Sequence, residues 1–190
     1  DIAIMRAIPK MTVLAPCDLV ETRKAIVAAS CFEGPVYVRF AREKSPIFTT
    51  EETPFEMGKA TLFWQGGDVA IIACGPLSHK AALAAGELEK EGIKARVINM
   101  HTIKPLDTEA ALTAAKECGA IVTVEEHQIT GGLGGAVCEF LAENLPVPVE
   151  RVGVRDRFGE SGEPNELIEK LGMGVSSIKE AVKKVLSRKT

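Results

Sequence analysis

The sequence predicts an α/β protein: a doubly wound, mostly parallel sheet preceded by part of a second α/β unit. From residue 58 onward, short apolar segments alternate with amphipathic helical segments, a pattern typical of parallel sheets covered on both faces. Residues 69–73, Val-Ala-Ile-Ile-Ala, are apolar at every position, as in a strand buried on both sides. We therefore expect helices on both faces and right-handed crossovers between the strands.

The composition excludes several classes of protein. Of 190 residues, 46% are hydrophobic and 26% are charged, which is ordinary for a globular chain and excludes global disorder. No apolar run approaches the roughly 18 residues that span a bilayer. The net charge is −3, and the last basic cluster is interpreted as a solvated helix face and tail (Lys183, Lys184, Arg188 and Lys189). We expect no nucleic-acid partner and no membrane partner.

Five scattered cysteines form no C-x-x-C pair and have no histidine at zinc-ligand spacing. This pattern favours a reduced, cytoplasmic protein without a metal site.

Residues 1–45 have the pattern of half a domain. The chain opens without Met on what reads as a helix end, followed by a strand over 12–14, a helix from Asp18 to about Ala29 and a strand over 36–38. Asp18, with Glu21 three residues later, resembles a helix N-cap. We expect the helix to have one apolar face (Leu19, Val20, Ile26 and Val27) and the whole chain to be a piece of a longer polypeptide.

Residues 46–57 carry proline and no sustained period, so they are predicted to be a linker. The second domain, 58–190, should then alternate strands and helices. Its predicted strands begin near residues 59, 69, 95, 120 and 149, and its helices near 78, 107 and 135. Two more helices follow, the last opened by a capping box at Ser177 and Glu180.

The most distinctive segment follows the predicted strand 120–124. Two acids and a histidine, Glu125 to His127, lead into a glycine-rich turn and a helix, whose free N–H groups could hold an anion. A dinucleotide fingerprint is incomplete, because Val137 occupies its third glycine position. The favoured interpretation is that the glycines permit a tight turn and close helix–sheet packing.

Two histidines follow predicted parallel strands at their carboxyl ends, where open α/β sheets bind ligands. These are His101 and His127, and Glu126 precedes the second. The three define a possible ligand crevice; the alternative is that each histidine is held by hydrogen bonds within its loop.

Arg39 and Arg42 follow the strand over 36–38. The forked guanidinium group suits a phosphate or carboxylate, so either arginine is a candidate for binding an anion. The competing interpretation is an ion pair with a neighbouring acid.

Taken together, four segments resemble the transketolase family of thiamine diphosphate enzymes. Met5–Pro9 with Val13–Asp18, and Gly34–Arg42, resemble the second half of the pyrimidine-binding domain. Lys94–Asp107, and Glu125–His127 with the Gly-Gly-x-Gly turn, resemble the C-terminal domain. Phe158 to Pro164 is similar to the tail of transketolases, which favours the C-terminal polypeptide of a split transketolase.

The resemblance implies a chain that contributes to ketol transfer between sugar phosphates in the pentose phosphate pathway but is inactive alone. Arg42 matches the arginine that binds the substrate phosphate, and no catalytic residue falls within the chain. Thiamine diphosphate and Mg²⁺ would belong to the assembled enzyme, with neither bound by this chain alone. The implied partners are an N-terminal transketolase subunit and a second copy in a homodimer.

Three alternatives stay open. The β subunits of 2-oxoacid dehydrogenases share the Ile-Asn-Met-x-Thr-Ile-x-Pro signal but usually lack an arginine at the place of Arg42. Deoxyxylulose-phosphate synthases have the arginine pair but follow it with glycine, where this chain has Glu43. A non-catalytic assembly or ligand-binding module is the third.

Overall fold

The computed structural model describes residues 1–189, so Thr190, the last residue of the predicted second domain, lies outside the described residues. The helices are α1 (Ile2–Ala7), α2 (Leu19–Ser30), α3 (Leu77–Lys90), α4 (Thr108–Cys118), α5 (Leu133–Asn144), α6 (Pro164–Lys170) and α7 (Val175–Leu186). The strands are β1 (Thr12–Leu14), β2 (Val36–Val38), β3 (Thr61–Trp64), β4 (Val69–Ala73), β5 (Ala95–Asn99), β6 (Thr102–Lys104), β7 (Ile121–Gln128) and β8 (Val149–Val154).

Within residues 1–189, the main sheet has five strands in the order β3-β5-β4-β7-β8, and only the edge strand β3 is antiparallel. Every residue of the central strand β4 is buried, because helices cover both faces of the sheet. One apolar cluster joins the sheet to α3 and α7, and a second joins it to α4 and α5. The doubly wound, mostly parallel sheet predicted from the sequence is confirmed.

A second sheet of three strands has the order β2-β1-β6. β1 and β2 run parallel, whereas β6, which follows β5 almost directly, runs antiparallel to β1. The first part of the chain is therefore joined to the main sheet through β6, which pairs with β1 and follows β5 of the main sheet almost directly. The Ala15 N–H extends this pairing by donating to the His101 carbonyl at 2.7 Å.

Helix α2 differs from expectation. Leu19, Ile26 and Val27 of its predicted apolar face are exposed, Val27 by 65%, whereas Glu21 and Ala25 are buried. The reason is a polar contact: the Glu21 carboxylate accepts a hydrogen bond from the Asn99 side chain at 2.7 Å, and this turns the opposite face of α2 outward.

The helix starts were predicted with mixed success. Asp18 and Asp107 cap α2 and α4 as expected, each accepting from a backbone N–H three residues later. The capping box at Ser177 and Glu180 is wrong: α7 begins at Val175, and its N-cap, Gly174, makes no side-chain hydrogen bond. A Cβ at Gly174 would lie 1.8 Å from a carboxylate oxygen of Glu169, so any larger residue there would displace this flexible side chain.

Residues 46–57 lie against the first unit. The Phe48 and Thr49 N–H groups donate to the Asp18 carboxylate at 2.9 and 2.7 Å. The Lys24 ammonium donates to the carbonyls of Thr50 and Thr53 at 2.8 and 2.6 Å. Hydrogen bonds thus fix the segment to the N-cap of α2, Asp18, and to the middle of this helix, Lys24.

Candidate functional site

The glycine-rich turn before α5 is occupied by the protein's own carboxylate. Glu125 is fully buried at the end of β7 and accepts from the N–H groups of Leu133 and Gly134, at 2.7 and 2.8 Å. Burial raises the pKa of Glu125, although these N–H groups act in the opposite direction. A Cβ at Gly132 would lie 1.9 Å from the carboxylate, so the glycine permits close packing. An anionic ligand therefore has no place at this helix end.

His127 lies beneath α1. Its Nδ1 is 2.8 Å from the Gln128 carbonyl oxygen, and the Ala3 N–H points to Nε2 at 3.5 Å. Burial lowers the pKa of this ring.

His101 is fully buried just after β5. Its ring stacks on Phe55 with centroids 4.3 Å apart, and Nδ1 lies 3.1 Å from the Thr102 hydroxyl. Within residues 1–189, Nε2 has no hydrogen-bond partner. Burial lowers the pKa of His101 to about 4, so the ring is neutral at pH 7. The two histidines thus occupy separate covered sites, and of the predicted crevice only Glu126 borders an open cavity.

Two cavities flank Arg42. The α6 cavity, about 480 Å³, lies between the segment 41–46, the start of α3 and α6, and Glu126 also lines it. The α2 cavity, about 410 Å³, lies on the other side of the same segment, where Cys17 and Asp18 line it. Arg42 is the candidate site residue common to both.

The two candidate arginines have different surroundings. Arg39 donates to the Glu126 carbonyl at 3.0 Å, and its guanidinium lies 3.7 Å from the Glu126 carboxylate and 3.4 Å from that of Asp1. Arg42 is exposed and forms no ion pair with any residue from 1 to 189. An ion pair to a neighbouring acid therefore describes Arg39, and Arg42 is the arginine available to a ligand.

Sequence reasoning missed two further basic residues of the α6 cavity, Lys44 and Lys80. Lys44 could have been predicted from the sequence, because it lies two positions after Arg42. Lys80 could not, because the periodicity of α3 does not show which loops the start of this helix lies against.

Within residues 1–189, no cluster of three or more His, Cys, Asp or Glu side chains is placed to hold a metal ion. The same residues contain no helix with the length and apolar character needed to cross a membrane.

Comparison with known families assigns this fold to a class of protein. Residues 58–178 match the family described as Transketolase, C-terminal domain. The chain belongs to this family.

Particular relatives extend the likeness across the whole chain. The chain is 47% identical over 189 residues to the 6-deoxy-6-sulfo-D-fructose transketolase subunit SqwH of Clostridium sp. strain MSTE9, covering 100% of this chain and 59% of that protein. It is 41% identical over 179 residues to an apulose-4-phosphate transketolase subunit of Phocaeicola vulgatus, covering 94% and 57%.

Among solved structures, a split gene transketolase described as an inactive beta4 tetramer superposes with a TM-score of 0.97 at 44% identity. The match covers 100% of this chain and 62% of that one. The chain thus spans about three fifths of the length of these three proteins.

Proposed function

We propose that this chain is the C-terminal part of a transketolase subunit that transfers a two-carbon ketol unit between sugar substrates. The observation that carries the proposal is the likeness to a split gene transketolase over every residue of this chain, at a TM-score of 0.97. The two relatives described above are transketolase subunits that are 47% and 41% identical to this chain, whereas 1-deoxy-D-xylulose-5-phosphate synthases match it at 37–40% identity. The higher identity favours transketolase over the deoxyxylulose-phosphate synthase alternative, and the names of these relatives favour it over the 2-oxoacid dehydrogenase alternative.

The proposed enzyme is an assembly in the cytoplasm, made with an N-terminal transketolase subunit and a second copy of this subunit. Thiamine diphosphate with Mg²⁺, when bound in that assembly, supplies the carbanion chemistry. The helix start before α5, where the sequence indicated a place for an anion, is filled by Glu125. We therefore place the diphosphate on other parts of the assembly.

Arg42 is the residue we propose to bind the substrate. Its guanidinium group is exposed and without an acidic partner in residues 1–189, so it can offer two parallel N–H donors to an oxyanion at the end of a sugar. That oxyanion is a phosphate in the pentose phosphate pathway, whereas one relative is named for a sulfosugar and another for a sugar phosphate. A phosphate ester and a sulfonate each present three terminal oxygens on a tetrahedral centre.

The test is reconstitution. The complete subunit that contains this chain is purified and mixed with its N-terminal partner, thiamine diphosphate and Mg²⁺. Ketol transfer is then measured with a ketose phosphate and with a 6-sulfo ketose as donors. We expect turnover only in the mixture, and the better donor identifies the oxyanion. Turnover by this subunit alone, or conversion of a 2-oxo acid instead of either ketose, would overturn the proposal.

A further inference from the structure

The α6 cavity is lined by three basic and three acidic side chains. Arg42, Lys44 and Lys80 line it together with the acids Glu43, Glu126 and Glu160. Two of these acids are already engaged: Glu126 faces Arg39, and Glu160 pairs with Arg157 and Lys170. Arg42, Lys44 and Glu43 form no ion pair within residues 1–189. The unpaired groups leave a surplus of positive charge.

Lys80 is the third basic group. Its ammonium lies 3.7 Å from the Glu169 carboxylate, which is a long contact, and its side chain is only 23% exposed. His79 adds no charge at neutral pH, because burial lowers the pKa of its ring below the ordinary value. An anion in the cavity would therefore meet Lys80 from α3 and Lys44 from the segment 41–46.

Part of the cavity wall is apolar. It is formed by side chains from the start of α3, from α6 and from the turn after α6 (Leu77, Leu167, Ile168, Leu171 and Met173). A volume of about 480 Å³ lies within the range of small-molecule sites, and such sites combine apolar walls with a few polar groups. A simple inorganic anion would leave the apolar wall uncovered.

We infer that the α6 cavity binds an amphipathic anion, a small molecule in which an apolar ring system carries one oxyanion. The oxyanion lies between Lys44 and Lys80, and the rings cover the wall formed by α6. Since Arg42 lines this cavity and the α2 cavity, a ligand here competes for the arginine with a substrate in the other cavity; this last step rests on the proposed function.

The test uses 1-anilinonaphthalene-8-sulfonate as the probe and the complete subunit that contains this chain. Binding is followed by fluorescence and located by backbone amide chemical shifts. We expect the Lys80→Ala and Lys44→Ala variants each to weaken binding about fivefold. The matched control is Lys59→Ala, a lysine that lines a different cavity and is also paired with a glutamate, at 3.3 Å. This control should leave the affinity unchanged.

Two fragments of the probe test the chemical class. Methanesulfonate, which lacks the rings, and N-phenylnaphthylamine, which lacks the anion, should both bind at least tenfold more weakly than the intact probe. Equal binding by either fragment, unchanged affinity in both lysine variants, or shifts centred on the exposed Leu62 and Trp64 of β3 would overturn the inference. Because no turnover is measured, the result does not depend on ketol transfer.

Discussion

At the scale of single residues, the structure separates groups that the sequence left equivalent. Arg39 and Arg42 were both candidates for an anion, and only the fold shows that Glu126 lies beside Arg39. That contact joins positions 87 residues apart, so no local pattern in the sequence could reveal it. The same holds for the histidines, since covering by Phe55 and by α1 is a property of tertiary packing.

Replacing Arg42 tests its proposed contact with the substrate. In the reconstituted enzyme, Arg42→Ala should raise KM for a phosphorylated donor roughly tenfold to a hundredfold, because a charge-assisted hydrogen bond contributes about 1.5–3 kcal/mol. An unphosphorylated ketose should be used equally well by both enzymes. Lys90→Ala, at the exposed end of α3, is the charge-matched control. An equal loss with both donors would assign Arg42 a structural role.

The buried ring of His101 makes stability depend on pH. Its pKa is about 4 in the folded chain and about 6.5 when unfolded, so only the unfolded chain gains a proton as pH falls below 6.5. The contribution of His101 is therefore complete above pH 6.5 and decreases toward pH 4. We expect a loss of about 2 kcal/mol between pH 7.5 and pH 5.

Urea unfolding of the native chain and of His101→Gln at both pH values measures this difference. The variant should lose less stability on acidification, whereas His79→Gln, at a partly exposed ring, should behave more like the native chain. Equal pH dependence in the native chain and His101→Gln would show that the ring is protonated in the folded state.

At the scale of helices and strands, hydrophobic periodicity predicted the buried face correctly where a helix packs mainly on apolar residues. Both α3 and α7 pack on an apolar sheet, and the buried residues of each have the spacing of one helix face (Leu77, Ala81, Ala84 and Leu88 in α3; Ile178, Val182 and Val185 in α7). The predicted face of α2 was wrong because a polar residue, Glu21, lies on the buried side of the helix. Hydrophobic spacing contains no information about the hydrogen bond that holds it there. The predicted start of α7 was wrong because the helix begins at Val175, two residues before Ser177, after a glycine N-cap that makes no side-chain hydrogen bond.

The turn before α5 yields a prediction at this scale. Gly132→Ala should lower the free energy of unfolding by about 3 kcal/mol, because the new methyl group would overlap the Glu125 carboxylate that caps the helix. Gly67→Ala, where a Cβ would meet nothing within 4 Å, should change stability by less than about 0.5 kcal/mol. Urea midpoints compare the two variants. Similar midpoints would mean that the turn relaxes without losing its cap.

At the scale of the whole molecule, the two sheets are connected by strand pairing and by buried hydrogen bonds. The ladder between β1 and β6 is reinforced by a buried chain of hydrogen bonds in which Ser78 donates to Asn99 and Asn99 donates to Glu21, at 2.9 and 2.7 Å. The doubly wound class was predictable from alternation along the chain. The antiparallel contact of β6 with β1 was not, because three residues carry too little pattern to indicate a strand partner.

This connection predicts cooperative unfolding. The emission of Trp64, in the main sheet, and hydrogen exchange of the β1 amides, in the small sheet, should report one transition in denaturant. Asn99→Ala should lower the stability reported by both by about 2 kcal/mol, since Glu21 loses a buried donor. Asn144→Ala, at an exposed amide, is the control. Separate transitions would show that the sheets unfold independently.

The position of β6 also limits where this polypeptide can be divided between genes. A break within residues 46–57 would place β1 and β2 on one product and β6 on the other, and each would fold with an unpaired strand edge. It would also separate Glu21 from Asn99, leaving a buried carboxylate without its amide donor until the products met. A break upstream of β1 keeps the ladder and this hydrogen bond in one translation product. A division of this polypeptide between two genes is thus constrained by a three-residue strand.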